Sequence, residues 1–246
     1  MSRADGQGGG RIKRGLRRFR RRSRRQQLLR GGAVTLVVAL LLVVLLVPTS
    51  LLGLVVSDSA TVSATPAAPS NAALSETGHE RTESETVVVR QRISPAGQDR
   101  TVVVRNTRRT SERTLRIQNG SVTGSVFVAV ASPRVAVAGR PQNPLAGESN
   151  RELLQRFQAE LDAGSGGADF ERVDQREAVM LGQQTTVSVF ETNVTVDDQP
   201  REVAVYVTSV RHDGDVVVAI GVHPTAFADQ RVSVMRLVYS VEHPQR

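Results

Sequence analysis

The chain has 246 residues, no cysteine and no tryptophan, and its 32 lysine and arginine residues outnumber its 24 acidic residues. The missing cysteine excludes disulfide bonds, thiolate metal sites and a cysteine nucleophile. Because aromatic residues make up only 3% of the chain, the core must be built from valine, leucine, isoleucine and alanine, and the abundance of valine favours a sheet-rich domain.

The first 30 residues form a basic tail. They hold 12 of the 32 lysine and arginine residues and a single acid, Asp5, so they carry +11 while the remaining 216 residues carry −3. Arginine runs ahead of an apolar segment keep the tail in the cytoplasm, where each basic residue gains about 1 kcal/mol beside an anionic leaflet. Phe19 is the only aromatic residue of the tail, so the set that would stack on bases is missing. We expect contacts with anionic lipid headgroups and none with nucleic acid.

Residues 31–57 carry no charged side chain and predict one transmembrane helix. The apolar stretch 33–56 would form a helix of about 36 Å, and the hydrocarbon core of a bilayer is about 30 Å thick. Pro48 is tolerated as a kink in a membrane helix. Because the basic end stays inside, we expect the chain from Ser57 onward to lie outside the cytoplasm, as part of a single-pass protein of the cell membrane.

A secreted protein with a cleaved signal is the alternative for the same segment. Residues 33–47 have the length of a signal-peptide apolar region, about 7–15 residues, and Pro48 would end it. Arg24 and Arg25 resemble a twin-arginine export signal, although Gln27 stands where that signal has an aromatic residue or leucine. The second apolar run, 51–56, favours a retained anchor.

Residues 58–70 are rich in serine, alanine, threonine and proline and predict a linker, which leads to a domain over residues 71–246. Ser70 predicts the N-cap of a short helix that Gly78 ends. The capping-box pattern of Ser149 and Glu152 predicts the start of a second helix.

A third helix is predicted within residues 229–242. Val234, Leu237, Val238 and Val241 follow one another at helical spacing, although β-branched residues have low helix propensity.

Runs of β-branched residues between turn residues predict the strands. They cover residues 82–93, 101–109, 125–131, 170–181, 185–196, 202–210 and 216–222. Because most neighbours follow one another in hairpin order, we expect an α+β domain with an antiparallel sheet and helices packed on one face of it.

No pattern in the sequence predicts a catalytic residue, a cofactor site or a metal site. None of the four histidines, His79, His212, His223 and His243, has a partner at metal-ligand spacing, and no G-x-S-x-G motif occurs. A weak calcium site at residues 197–198 or 213–215 is an alternative, but turns rich in Asp and Gly are more often simply turns. The sequons at Asn119 and Asn193 predict possible glycosylation outside the cell.

Several segments resemble a family of uncharacterised surface proteins of halophilic archaea. They are residues 74–80, 130–135, 181–186, 217–224 and 241–243. The resemblance spans about residues 60–243 and implies a lipobox-anchored or membrane-anchored protein with no assigned activity; this chain lacks the lipobox cysteine and has the apolar segment instead. The strand order and closing helix are also similar to the PsbP-like sandwich of photosystem-subunit and nuclear-transport-factor proteins, which implies a fold and no function.

The favoured hypothesis is a membrane-anchored surface protein, not an enzyme, whose outer domain binds or scaffolds an unknown envelope partner. One alternative is an extracytoplasmic enzyme whose site forms only in three dimensions. A pocket with a histidine and a perturbed acid would favour that alternative, and flat surface around His212 and His223 would count against it. Signalling through the arginine tail is a further alternative.

Overall fold

The computed structural model describes residues 59–93, 100–117, 120–137, 140–143, 145, 147–161, 169–196 and 199–245. The basic tail and the predicted transmembrane segment lie outside these ranges, as do Asn119 and the predicted turn at 197–198. No helix within the ranges is long and apolar enough to cross a membrane.

Eight strands form one large sheet, and four short strands form two small ones. The strands are β1 Ser59–Ser63, β2 Ala68–Pro69, β3 Glu80–Ile93, β4 Arg100–Ile117, β5 Gly120–Ser132, β6 Val135–Val137, β7 Arg140–Gln142, β8 Glu171–Met180, β9 Gln183–Val196, β10 Gln199–His212, β11 Asp215–Pro224 and β12 Val241–Glu242. The large sheet runs β4-β5-β11-β10-β9-β8, and both β1 and β3 pair with β4. Strand β2 pairs with β12, and β6 pairs with β7.

The sheet is mixed rather than purely antiparallel. Strand β1 runs parallel to the first part of β4, and all other strand pairs within the described residues are antiparallel. Both β1 and β2 come from the segment that the sequence predicted as a linker, because its serine, threonine and proline residues gave no strand pattern. The two hairpins β8–β9 and β10–β11, which the sequence predicted, supply half of the large sheet.

Three short helices pack on the sheet: α1 Asn71–Thr77, α2 Asn150–Leu161 and α3 Gln230–Tyr239. Helix α1 starts where the Ser70 hydroxyl accepts a hydrogen bond from the Ala73 amide at 3.2 Å. It ends at Gly78, whose φ of 68° is left-handed, and the next amide, of His79, donates to the Leu74 carbonyl at 2.9 Å. This arrangement is a Schellman cap, and it confirms both predicted ends of the helix.

Helix α2 starts with the predicted capping box. The Ser149 amide donates to the Glu152 carboxylate at 2.7 Å, and the Glu152 amide donates to the Ser149 hydroxyl at 3.3 Å. Helix α3 forms despite its valines, since Val234, Leu237 and Val238 are buried against the sheet. Burial of an apolar face contributes more than intrinsic propensity does, so the predicted third helix is confirmed over Gln230–Tyr239, whereas Val241, the last residue of the predicted pattern, lies in β12.

Helices cover both faces of the sheet, so the prediction of one covered face is wrong. Helices α1 and α3 lie over Phe127, Ala129 and Ala219, whereas α2 lies over the alternate positions of the same strands, such as Val128 and Val218. A strand that is apolar on both faces must be covered on both, and β11 is buried at all residues except its last. The resemblance to the PsbP-like sandwich stays a prediction.

Candidate functional site

A pocket of about 240 Å³ opens on the sheet face that carries α3. It lies between strands β8 to β11 and the turn that leads from β11 into α3. Its apolar lining includes Val189 and Ala204. The polar side chains that line it are Asp174, Arg176, Glu191, Tyr206, His223, Thr225 and Arg231.

Tyr206 and His223 are the buried polar pair of the pocket, each 3% exposed. They lie on adjacent strands, because the register places Ala204 opposite His223 and Tyr206 opposite Gly221. The phenol oxygen is 3.1 Å from His223 Nε2, and His223 Nδ1 is 2.8 Å from the Pro224 carbonyl oxygen. A carbonyl oxygen only accepts, so Nδ1 carries the hydrogen and the Tyr206 hydroxyl donates to Nε2.

Burial keeps this pair neutral. It lowers the pKa of His223, against smaller raising effects of the Pro224 carbonyl and the Asp229 carboxylate. Burial also raises the pKa of Tyr206, with Arg231 and Arg176 opposing it. Both shifts follow from the cost of a charge away from water, so near pH 7 the pocket floor offers an uncharged phenol and an uncharged imidazole.

The wall of the pocket on β8 is charged. Arg176 donates through Nη2 to Asp174, and this bond is the main reason that the pKa of Asp174 is lowered. The Gln175 amide also donates to the Asp174 carboxylate, at 2.8 Å. Arg176 Nε is buried and has no hydrogen-bond partner among the residues that the structure describes. Leaving a buried donor unpaired costs about 1–3 kcal/mol of stability. An acceptor that bound to Arg176 Nε would remove this cost.

The opposite side of the pocket carries Arg231 and Thr225. Arg231 stands in the first turn of α3, and its charge acts on both Tyr206 and Asp174. The hydroxyl hydrogen of Thr225 is not available to a ligand, because the hydroxyl donates to the Glu202 carboxylate at 2.8 Å. The two arginines and the two carboxylates of the lining balance in formal charge, so the pocket combines charged walls with a neutral floor.

A model of the family described as "Domain of unknown function (DUF6517)" matches residues 66–242. The chain belongs to this family. A search of curated proteins finds no match. The pocket lies wholly within the matched range, as do all three helices and every strand except β1.

The sequence did not predict the pocket of this DUF6517 domain. Its residues are spread over residues 173–231, and only the strand register brings them together. One signal was present: His223 ends a run of buried apolar residues, and an imidazole in such a run needs a buried partner. Tyr206, one of only two tyrosines, is that partner.

The other histidines of the DUF6517 domain lie elsewhere. His79 is buried beneath α1 and α3, with Nε2 2.8 Å from the Ser125 hydroxyl and Nδ1 2.9 Å from the Thr77 hydroxyl. A serine–histidine contact of this length suits a nucleophile and its base, but Ser125 is 1% exposed, so the pair belongs to the packing of the helices on the sheet. His212 and His243 contact each other at the far end of the β10–β11 hairpin.

The remaining sequence-based hypotheses concern calcium and glycosylation. In the parts of the chain that the structure describes, no group of three or more His, Asp or Glu residues could hold a metal ion. Asp215, one candidate calcium ligand, is buried and accepts from the Thr65 amide at 2.8 Å. Asn193 is exposed on β9 opposite Glu202, and its glycosylation stays a prediction, as does that of Asn119.

Proposed function

We propose that this protein is a single-span surface protein of the cell membrane, and that its DUF6517 domain binds a small ligand with an oxygen acceptor, such as a carboxylate. The observation that carries the proposal is the pocket in which the Tyr206–His223 pair lies beside Arg176, whose Nε has no hydrogen-bond partner in the described part of the chain. A ligand oxygen would complete that guanidinium, and charged donors give the stronger hydrogen bonds.

The anchoring part of the proposal depends on the sequence. The tail carries +11 and the following 27 residues carry no charge, which is the pattern of a cytoplasmic tail and one span. In this arrangement the tail contacts anionic headgroups, and the domain faces an envelope partner. The resemblance to anchored surface proteins of halophilic archaea supports the same placement. Secretion after cleavage at the apolar segment is the competing arrangement.

The pocket favours binding over catalysis. A general base works best when its pKa is near the operating pH, and burial moves the pKa of His223 down, away from neutrality. Its Nε2 lone pair is also occupied by the Tyr206 hydroxyl. An extracytoplasmic hydrolase or isomerase remains the second candidate, since a histidine and an acid with a lowered pKa, Asp174, share one pocket.

Hydrogen exchange on the full-length protein in detergent micelles tests the binding proposal. Sodium acetate and sodium phosphate are the probes, and uncharged acetamide is their control. We expect acetate or phosphate to slow exchange of peptides from β8 and from the start of α3. Arg176→Gln should weaken this effect at least about tenfold, because an ionic hydrogen bond contributes about 1.5–3 kcal/mol.

Arg172→Gln is the matched control variant. Arg172 is exposed on the same strand, but it pairs with Phe190, whose side chain belongs to the core on the α2 face. The Arg172→Gln variant should therefore bind the probes as the wild type does. Equal loss in both arginine variants, or no protection by either anion, would refute the pocket as an oxyanion site.

Fractionation tests the anchoring proposal separately. We expect the intact protein in the membrane fraction, with its C-terminal domain digested when protease is added to whole cells. An intact mass that corresponds to a chain starting beyond residue 56 would instead support secretion. A mass above that of the polypeptide would reveal a glycan at Asn119 or Asn193.

A further inference from the structure

Four residues meet at the end of the β10–β11 hairpin that lies away from the pocket. His212 is the last residue of β10, Asp215 is the first of β11, and the register pairs them across the turn. His243 follows β12, and Thr65 lies between β1 and β2. We call this group the histidine clasp, because it joins the residues after β12 and the residues after β1 to one hairpin.

The hydrogen of His243 can be assigned from its partners. His243 Nε2 is 3.1 Å from the Thr65 carbonyl oxygen and 3.3 Å from Asp215 Oδ2. A carbonyl and a carboxylate oxygen only accept, so Nε2 carries a hydrogen. In the neutral ring Nδ1 is then an acceptor, and it lies 3.0 Å from His212 Nδ1. His212 therefore donates through Nδ1.

The ring geometry identifies this contact as a hydrogen bond rather than a metal site. The ring centroids are 5.2 Å apart, which is the 3.0 Å between the two nitrogens plus about one ring radius at each end. The two nitrogens thus point at each other along one line. A zinc ion needs about 2.0–2.1 Å to each histidine nitrogen, whereas an ion on the line along which both lone pairs point would lie at only half of the 3.0 Å separation from each nitrogen.

The clasp tolerates one added proton but not two. If His212 gains a proton at Nε2, its Nδ1 still donates to His243. If His243 gains one instead, a tautomer of His212 with a free Nδ1 lone pair can accept from it, and Asp215 faces the new charge. With both rings protonated, the two Nδ1–H groups face each other at 3.0 Å, and the two positive charges repel. The side chain of His243 is 0% exposed, so water does not screen this repulsion.

We propose that the clasp is an acid-opened latch on the segment through which the chain enters the domain. Uptake of the second proton breaks the His212–His243 bond and releases His243 from Thr65 and Asp215. The Thr65 amide, which donates to Asp215 at 2.8 Å, and the short β2–β12 pair next to it are then freed. The latch acts on the chain that leads to the predicted anchor, and it does not depend on the pocket.

Several elements contribute polar and charged groups around the latch. Strand β10 contributes His212 and β11 contributes Asp215, whereas β4 contributes the Thr107 hydroxyl, 3.4 Å from the Thr65 carbonyl oxygen. Asp213 and Glu242 are the sequence neighbours, and both are exposed. The guanidinium of Arg134 lies beside Gly214, between Asp213 and Asp215 in the turn.

Amide hydrogen exchange of the full-length protein tests the latch. The reporter is the Thr65 amide, and the reference is the amide of Ala129 in the centre of the sheet. After correction for intrinsic exchange, Thr65 protection should reach a constant value as the pH is raised. On acidification it should fall, by up to about tenfold per pH unit for one linked proton. Ala129 is followed in a His79→Gln background, which removes the acid loss of global stability caused by that buried histidine, and there it should stay protected.

Two variants decide the interpretation. In His212→Gln the amide can still donate to His243 but cannot become charged, so Thr65 protection should not change with pH. His223→Gln, in the pocket, should keep the wild-type dependence. The latch is refuted if wild-type Thr65 protection is flat to pH 5 or if His212→Gln loses protection as the wild type does. It is also refuted if, in the His79→Gln background, Ala129 falls in parallel with Thr65, which would indicate global unfolding.

Discussion

Acid should destabilise the fold by protonating the buried His79. Burial, followed by the nearby cation of Arg113, lowers the pKa of His79 from 6.5 to about 4, and the ring is only 3% exposed. The unfolded chain therefore binds this proton more tightly than the folded one. A shift of this size corresponds to about 3 kcal/mol of the free energy of unfolding. The protein has this stability above pH 6.5 and loses it as the pH falls from 6.5 to 4, and His79 causes no further loss at lower pH.

The surroundings of His79 explain why protonation is costly. Its two nitrogens are taken by Thr77 and Ser125, and Ser125 in turn lies 3.2 Å from the Gln230 side-chain oxygen. That oxygen also accepts from Arg113 at 3.1 Å. A proton on His79 therefore adds a buried cation beside an existing one, in a network that joins α1, the sheet and α3.

Denaturant unfolding at a series of pH values measures the effect on the protein in detergent micelles. The wild type should lose about 3 kcal/mol between pH 7.5 and pH 4 through His79. His79→Gln should cost about 1–2 kcal/mol at pH 7.5, because one buried hydrogen bond is lost, and should remove most of the pH dependence. A residual slope of the same sign is expected from His223. The reasoning is refuted if His79→Gln loses as much stability on acidification as the wild type does.

Three further substitutions test the packing by denaturant unfolding. A Cβ on Gly221 would lie 2.2 Å from a methyl carbon of Val234, so Gly221→Ala should lower the free energy of unfolding by at least about 1–3 kcal/mol. Adding Val234→Ala should recover part of this loss. If the losses of the two single variants simply add in the double variant, the contact is contradicted. Within the described residues, two nitrogens of the buried Arg108 have no hydrogen-bond partner, and the third contacts Glu83 and Glu85, whose side chains are half-exposed. Because both carboxylates stay hydrated when the guanidinium is removed, Arg108→Met should change the free energy of unfolding by no more than about 1 kcal/mol in either direction. A loss of several kcal/mol would show that the ion pairs are needed. Ser149→Ala should cost about 1 kcal/mol through the lost cap of α2, whereas the exposed Ser75→Ala should cost less than half of that; equal losses would argue against the capping box.

Local signals predicted the helices and most strands, because caps and periodicity act over a few residues. Ser70, Gly78, Ser149 and Glu152 all have the roles that their positions indicated. The coverage of the faces was not predictable in the same way. In β9 the run from Val187 to Phe190 is buried at every position, so alternation could not identify a solvent face, and the helix on the second face was missed.

The pocket and the clasp could not be predicted because each depends on the long-range register of the sheet. Tyr206 meets His223 only because β10 and β11 pair as they do. His212 meets His243 only because β12 returns to β2. In the sequence both pairs look like isolated polar residues in apolar runs or at the chain end, and no fixed spacing identifies them.

The two polar sites lie at opposite ends of one rigid element, which makes their independence a testable consequence. Asp215 begins β11 and His223 stands eight residues later, about 26 Å along an extended strand. The strand between them is buried on both faces and paired on both sides. Coupling between sites needs an element with two arrangements, and a doubly covered central strand offers none. Opening the clasp should therefore leave acetate protection at the pocket unchanged in His212→Gln and in the wild type at pH 5, and a shift in probe affinity that follows Thr65 exchange would show that β11 transmits the change.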